Sequence, residues 1–247
     1  MKTILFIGLI VLSVNLSAQE SIPVGTVLPV QLETSLSKKS EPGQLLKARV
    51  MQDVPLGKDL KIHAGAKVIG QVVDLVPYDK GTKAKISFRF DRVVVSHQTI
   101  SITTDLRAMA SMMEVDEAQI PETGPDRGTP STAWTTVQVG GDEVVYRGGG
   151  HVMNAAEVVG EPVSDGVMVR VSPNANRGCR GPINGYERSQ AVWVFASDAC
   201  GLYGFSGVTI LNSGRSDPVG LIVLTANQKD LNIRGGSGML VRIISPN

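Results

Sequence analysis

Between Ile22 and Arg107 the chain alternates apolar and polar residues with the two-residue period of a half-buried β-strand. Leu28, Val30 and Leu32 share one face, as do Leu46, Ala48 and Val50 against Lys47 and Arg49. Ile86, Phe88 and Phe90 point one way and Lys85, Ser87, Arg89 and Asp91 the other. The run continues through Val93–Val95, a His97-Gln98 turn, Ile100 and Ile102. Two strands split by so short a turn make an antiparallel hairpin. Pro42-Gly43, Pro55 with Gly57, Ala64-Gly65 and Lys80-Gly81 punctuate the rest, and about five or six short strands at this spacing predict a small barrel or sandwich.

The pattern changes at residues 105–119, DLRAMASMMEVDEAQ, where Met109, Met112 and Met113 recur at helical spacing. This predicts a short helix with Asp105 as its N-cap and the methionines as a docking face. Pro121 to Trp134 is rich in Pro, Gly, Ser and Thr and reads as a linker. Strands resume with Val144 and Tyr146, then Val167, Val169 and Val171. The continuous run Ala191–Ala196 fits a strand buried on both faces, although periodicity alone does not exclude a helix segment. Val208 with Ile210, Leu221–Leu224, Leu231 with Ile233, and Met239–Ile244 follow. The expected fold is all-β. A small antiparallel barrel at 22–107 precedes a short helix and linker at 108–136, and an antiparallel β domain with one disulfide occupies 137–247.

Composition supports that class: the 247 residues include 32 Val, 27 Gly and 13 Pro, which disfavours helical bundles. The formal net charge of +1, with only 4% aromatic residues, does not suit a nucleic-acid-binding surface. That balance is uneven along the chain. Residues 19–107 hold 13 basic and 9 acidic side chains, residues 108–136 hold 1 and 5, and residues 137–247 hold 9 and 9. The acidic connector is either solvated surface or a segment folded back onto the basic barrel.

Residues 1–18 carry Lys2, an apolar run from Ile4 to Val14 and a small residue, Ala18, before Gln19. This is the layout of a secretory signal peptide cleaved after Ala18. The apolar run is shorter than the roughly 20 residues of a spanning helix, so no transmembrane segment is expected after cleavage, and the product is periplasmic or extracellular. In that oxidising setting Cys179 and Cys200, the two cysteines of the chain, read as a structural disulfide. Closing a loop of this length contributes roughly 3 kcal/mol in the chain-entropy model.

The motifs of common catalytic sites are incomplete. Gly204-Phe205-Ser206-Gly207 and Gly235-Gly236-Ser237-Gly238 approach G-x-S-x-G, but Val208 and Met239 occupy the last glycine position. His63, His97 and His151 fall in unrelated contexts and form no H-E-x-x-H or H-x-H set. Arg147-Gly148-Gly149-Gly150-His151 lacks the Lys-Ser/Thr of a phosphate-binding loop and reads as a turn. Asp142-Glu143, on a strand, would point to opposite faces and could not flank one bond. No catalytic residue, cofactor or metal site is assigned.

Gly25-Thr26-Val27-Leu28-Pro29-Val30-Gln31-Leu32, then Pro42-Gly43-Gln44, Ala48-Arg49-Val50 and Ile62-His63-Ala64-Gly65-Ala66-Lys67-Val68-Ile69-Gly70, resemble a known family. They are similar to the opening of the C-terminal β-barrel domain of TrbI-type conjugation and type IV secretion proteins. Phe90-Asp91-Arg92-Val93 with Gln98-Thr99-Ile100 continues the similarity, over about 80 residues. The family carries Pro where Ala64 stands, an inner-membrane anchor with a Pro-rich segment, and a membrane-inserting helical hairpin that the short polar Asp105–Gln119 segment does not match. The resemblance implies fold and compartment rather than secretion activity.

These readings converge on an exported, non-enzymatic cell-envelope protein, structural or interacting, with an envelope protein or glycan as partner. A hydrolase of envelope polymers or peptides is the catalytic alternative, with His151 and Ser206 or Ser237 as its candidates. A carbohydrate- or small-ligand-binding module is the third, with Trp134, Tyr146, Tyr186, Trp193 and Tyr203 as stacking platforms.

Overall fold

The computed structural model describes residues 22–57, 60–96, 98–122, 134–179 and 188–246. The expected leader with its expected cleavage point at Ala18, His97, residues 123–133 of the expected linker, and Tyr186 lie outside them.

Seven strands precede the helix: β1 (Val27–Leu32), β2 (Leu45–Val50), β3 (Val54–Pro55), β4 (Lys61–Ile62), β5 (Lys67–Val76), β6 (Ala84–Val95) and β7 (Gln98–Ala110). Helix α1 (Met112–Gln119) leads to β8 (Thr135–Val137), β9 (Glu143–Tyr146), β10 (Val152–Asn154), β11 (Glu157–Val163), β12 (Gly166–Val169) and β13 (Gln190–Ala191). The last four are β14 (Gly201–Tyr203), β15 (Val208–Ser213), β16 (Ile222–Ala226) and β17 (Gly238–Pro246).

Six antiparallel strands close a barrel in the order β7-β17-β1-β2-β5-β6, with β6 pairing back to β7. The alternating residues fill it as their period requires: Leu46, Ala48 and Val50 are buried between exposed Leu45, Lys47 and Arg49, and Phe88 meets Phe90 edge to face inside. Bulges bend the strands around the barrel. At one of them a side chain on Gly70 would run into the Arg89 backbone, so only glycine allows β5 and β6 to approach this closely.

Hydrogen bonding crosses the division expected between 107 and 137. β17 lies between β1 and β7, with Met239 opposite both Val30 and Met109, and β16 and β15 extend the same sheet beyond β6. A closed barrel leaves no free edge, and β17 supplies the partner that both β1 and β7 need.

Two local expectations are corrected by this pairing. Residues 105–110 are strand rather than helix, because β7 stays registered with β17 from Ile102 to Ala110. The helix begins at Met112, and its N-cap is Ser111, whose hydroxyl accepts the Glu114 N–H at 3.3 Å. The methionine stripe therefore splits. Met109 is buried in the barrel, Met113 is 72% exposed, and α1 docks through Val115 and Ala118 instead.

The run Ala191–Ala196 is the second correction: it is buried throughout, but after β13 it becomes a turn with Trp193 at φ 55°. The buried Gln52 amide holds it there. Gln52 Oε1 accepts N–H groups from Trp193 at 2.8 Å and Val167 at 3.2 Å, and Nε2 donates to the Val167 carbonyl at 2.8 Å. A side chain at Gly166 would strike this amide.

Strands β8 to β13 form a second antiparallel sheet in chain order. It covers the outer side of β1, β7 and β17, where Val27, Ala108, Ala110 and Leu240 join Val145, Val169, Trp193 and Phe195 in one interlayer core. Cys179 and Cys200 are bonded to each other with Cα atoms 6.0 Å apart, tying the segment after β12 to the start of β14.

A fragment ending at residue 120 contains every barrel strand but β17. It is expected to show no cooperative urea transition. A cooperative transition in that fragment contradicts the strand order described.

Candidate functional site

The two serines singled out by their glycine contexts come together. Ser206, after β14, and Ser237, before β17, line one cavity of about 280 Å3 at the start of α1. Met112, Phe205 and Leu231 supply its apolar wall and Lys229 and Arg234 its cations. Ser237 is 1% exposed, and its hydroxyl has no hydrogen-bond partner among the described residues. His151 lies elsewhere, at a separate surface depression, where Glu161 Oε1 is 2.8 Å from its Nδ1. The structure thus joins the candidate nucleophiles and leaves the candidate base apart. His63 sits 3.6 Å from Asp53, exposed, on the barrel.

The stacking candidates are dispersed in kind. Trp193 is buried in the interlayer core. The Tyr203 ring is covered by the Arg177 guanidinium at 4.4 Å, and its hydroxyl accepts the Cys200 N–H at 2.9 Å. Tyr146 is exposed on β9, and Trp134 is half-buried beside that strand, its carbonyl accepting the Arg147 N–H at 2.8 Å.

A buried ionic cluster is the feature sequence reasoning missed. Asp105, fully buried on β7, accepts hydrogen bonds from Arg215 Nε at 2.6 Å and from Arg242 Nη2 at 2.5 Å and Nε at 3.1 Å. Arg107, 3% exposed, donates to the Ser172 carbonyl at 2.7 Å. Burial, and then the nearby Arg242 and Arg215, push its guanidinium pKa down to about 10, so it stays charged at neutral pH. One carboxylate therefore anchors β17 and the loop after β15 to β7. The available signal was the period-two spacing of Ile100, Ile102, Leu106, Ala108 and Ala110, which carries the strand through Asp105.

Glu143 is a second buried acid. Ser197 donates both its N–H, at 2.8 Å, and its hydroxyl to this carboxylate. Burial nevertheless pushes the Glu143 pKa above its ordinary value, outweighing those two hydrogen bonds. Asp142 beside it is exposed in the bend before β9, rather than on the strand itself. Among the described residues no group of three or more His, Cys, Asp or Glu side chains is placed to hold a metal ion. No described helix is long and apolar enough to cross a membrane.

The barrel wall away from the second sheet is different in character. Lys47, Arg49, Lys67, Arg89 and Arg92 are all exposed there. Among the described residues Asp91 is the one carboxylate paired to them, 2.8 Å from Arg92 and 3.8 Å from Arg89.

These features define an all-β protein: a closed six-stranded barrel with one short helix, additional antiparallel sheets and a disulfide. No family model matches the chain, and no curated protein matches it. Among solved structures it has a weak, partial resemblance to ComB10 of the Com type IV secretion system of Helicobacter pylori. The two share 26% identity over 34% of this chain and 42% of that one, with a TM-score of 0.27. The chain thus spans less than half the length of that structure.

Replacing Asp105 with Asn leaves the two guanidinium groups of Arg215 and Arg242 without their buried counter-charge. Asp105→Asn is expected to lower the unfolding free energy by about 3–5 kcal/mol in urea titrations, and a loss under about 1 kcal/mol would show that the cluster is not structural. Glu143 makes the opposite kind of contribution. Its folded-state pKa is the raised one, so its stabilisation is full below the ordinary glutamate value of about 4.3 and is lost as pH rises through the folded value. The stability of Glu143→Gln relative to the unaltered chain is therefore expected to improve between about pH 4 and pH 8. A difference that stays flat or moves the other way refutes the assignment.

Proposed function

We propose that the protein is an exported, non-enzymatic module of the cell envelope that works by holding a partner. The observation that carries this reading is the asymmetry of the barrel. The wall formed by β1, β17 and β7 is sealed by the second sheet, whereas the wall from β2 through β6 carries exposed cations. A body sealed on one side and charged on the other suits a docking unit. The leader-like pattern of residues 1–18 and the TrbI-like strand motifs support a location in the periplasm or outside the cell.

The hydrolase reading keeps one supporting observation, the shared cavity of Ser206 and Ser237. No described histidine lines that cavity, and His151 lies with Glu161 at a separate depression. In cells, the mature chain is expected to begin at Gln19, to fractionate with the periplasm or medium, and to form a defined crosslinked adduct with an envelope component. A serine-reactive probe is expected to label neither serine. Cytosolic retention with the leader intact, or stoichiometric labelling at Ser206 or Ser237, would overturn the proposal.

A further inference from the structure

The charged wall has a regular layout set by strand register. Gln71 on β5 faces Arg89 on β6. Two residues along, Lys47 on β2 faces Ile69, which faces Arg92. One further rung along, Arg49 faces Lys67 directly. Successive rungs are about 6.6 Å apart along the strands, and neighbouring strands are about 4.8 Å apart. Five cations therefore occupy three rungs of one exposed wall.

Three other cations of the first half have carboxylate partners. Lys85 has Asp74 at 2.7 Å, Lys61 has Asp53 at 2.6 Å, and Lys38 has Asp230 at 3.1 Å. Lys47 and Lys67 have no ion-pair partner among the described residues, and Arg49 donates only to the neutral Gln31 amide, at 2.9 Å. Like charges directly opposite on adjacent strands destabilise a sheet, so Arg49 against Lys67 works against the fold. The acidic helix of the same chain does not relieve it, because α1 packs on β7 and β8.

We propose that this wall binds an extended acidic segment of a partner protein, laid along β2 and β5, with Asp or Glu at every second position. This rests on the reading of the chain as a docking module. The spacing favours such an occupant. An extended chain repeats its same-side residues about every 6.6–6.8 Å, which is the distance between rungs. The Arg49 guanidinium is held by the neutral Gln31 amide, so one positioned donor fork is left without a carboxylate of its own among the described residues. A bilayer is flat, whereas the wall curves with the barrel and presents its rungs along the strand direction.

The test uses the exported chain with a fluorescent peptide of alternating Glu and Ser, a peptide of the same composition with its Glu residues in one block, and phosphatidylglycerol vesicles. The alternating peptide is expected to bind more tightly than the blocked one, and added salt should weaken both. Lys67→Glu places a carboxylate opposite Arg49. It should lower affinity by about tenfold while leaving the urea midpoint equal or higher, since it replaces a like-charge pair by an opposite one. Lys47→Gln should weaken binding less, and Lys38→Gln, at a paired site away from this wall, should not change it. Three results overturn the inference: no peptide binding at low salt, binding unaffected by Lys67→Glu, or vesicle binding that depends on Lys67 without peptide binding. If envelope adducts persist in Lys67→Glu, the docking role stands and the acidic-segment assignment falls.

Discussion

The constraint that organises this molecule is that three neighbouring barrel strands are apolar on both faces. Strands of a small barrel ordinarily alternate, as β2 does, with every second residue in solvent. In β1 nearly every position is buried, and β7 is buried continuously from Asp105 to Ala110. β17, between them, is buried from Gly238 through Val241. Such a wall has to be covered. The second sheet, α1 and the buried turn around Trp193 are the cover, and their position follows from where Val27, Ala108, Ala110 and Leu240 point.

The polar groups trapped by that cover explain the chemistry of the interior. Gln52 satisfies three backbone groups of the second sheet and the Trp193 turn, joining two layers that share few main-chain hydrogen bonds. Asp105 and its arginines close the margin of the same interface, where an unpaired charge would be expensive. Exposed cations lie on the opposite wall, where Lys47 and Lys67 have no ion-pair partner among the described residues. Sealed and open sides are thus two results of one distribution of apolar residues.

Much of the first half was legible because its signal is local. Period-two alternation in Leu46–Val50 and Ile86–Phe90 is enforced by one solvated face and one buried face, and the structure follows it except at Ser87, which is buried. The β6–β7 hairpin is present with Val95 opposite Gln98, so β7 starts at Gln98 itself. Where both faces are buried the alternation vanishes, and local spacing misleads: Met109 reads as helix, and the run Ala191–Ala196 reads as strand. Their conformations are set by β17 and by Gln52, far away in sequence. The serine cavity was half legible, since glycine turns marked Ser206 and Ser237 but nothing local placed them together. The Asp105 cluster draws its arginines from positions 215 and 242, a distance over which no local spacing rule operates.

The position of β17 also fixes an order of events. A growing chain makes β1 and β7 long before it makes β17, and until then both strands present unpaired hydrogen-bonding edges. Contacts between residues as distant as Val30 and Met239 give the fold a high contact order and slow its closure. During that interval the half-built barrel is a strand acceptor, open to its own late segment or to any other extended chain. Assembly of this protein is thus a competition for two sheet edges, won when its last described strand arrives.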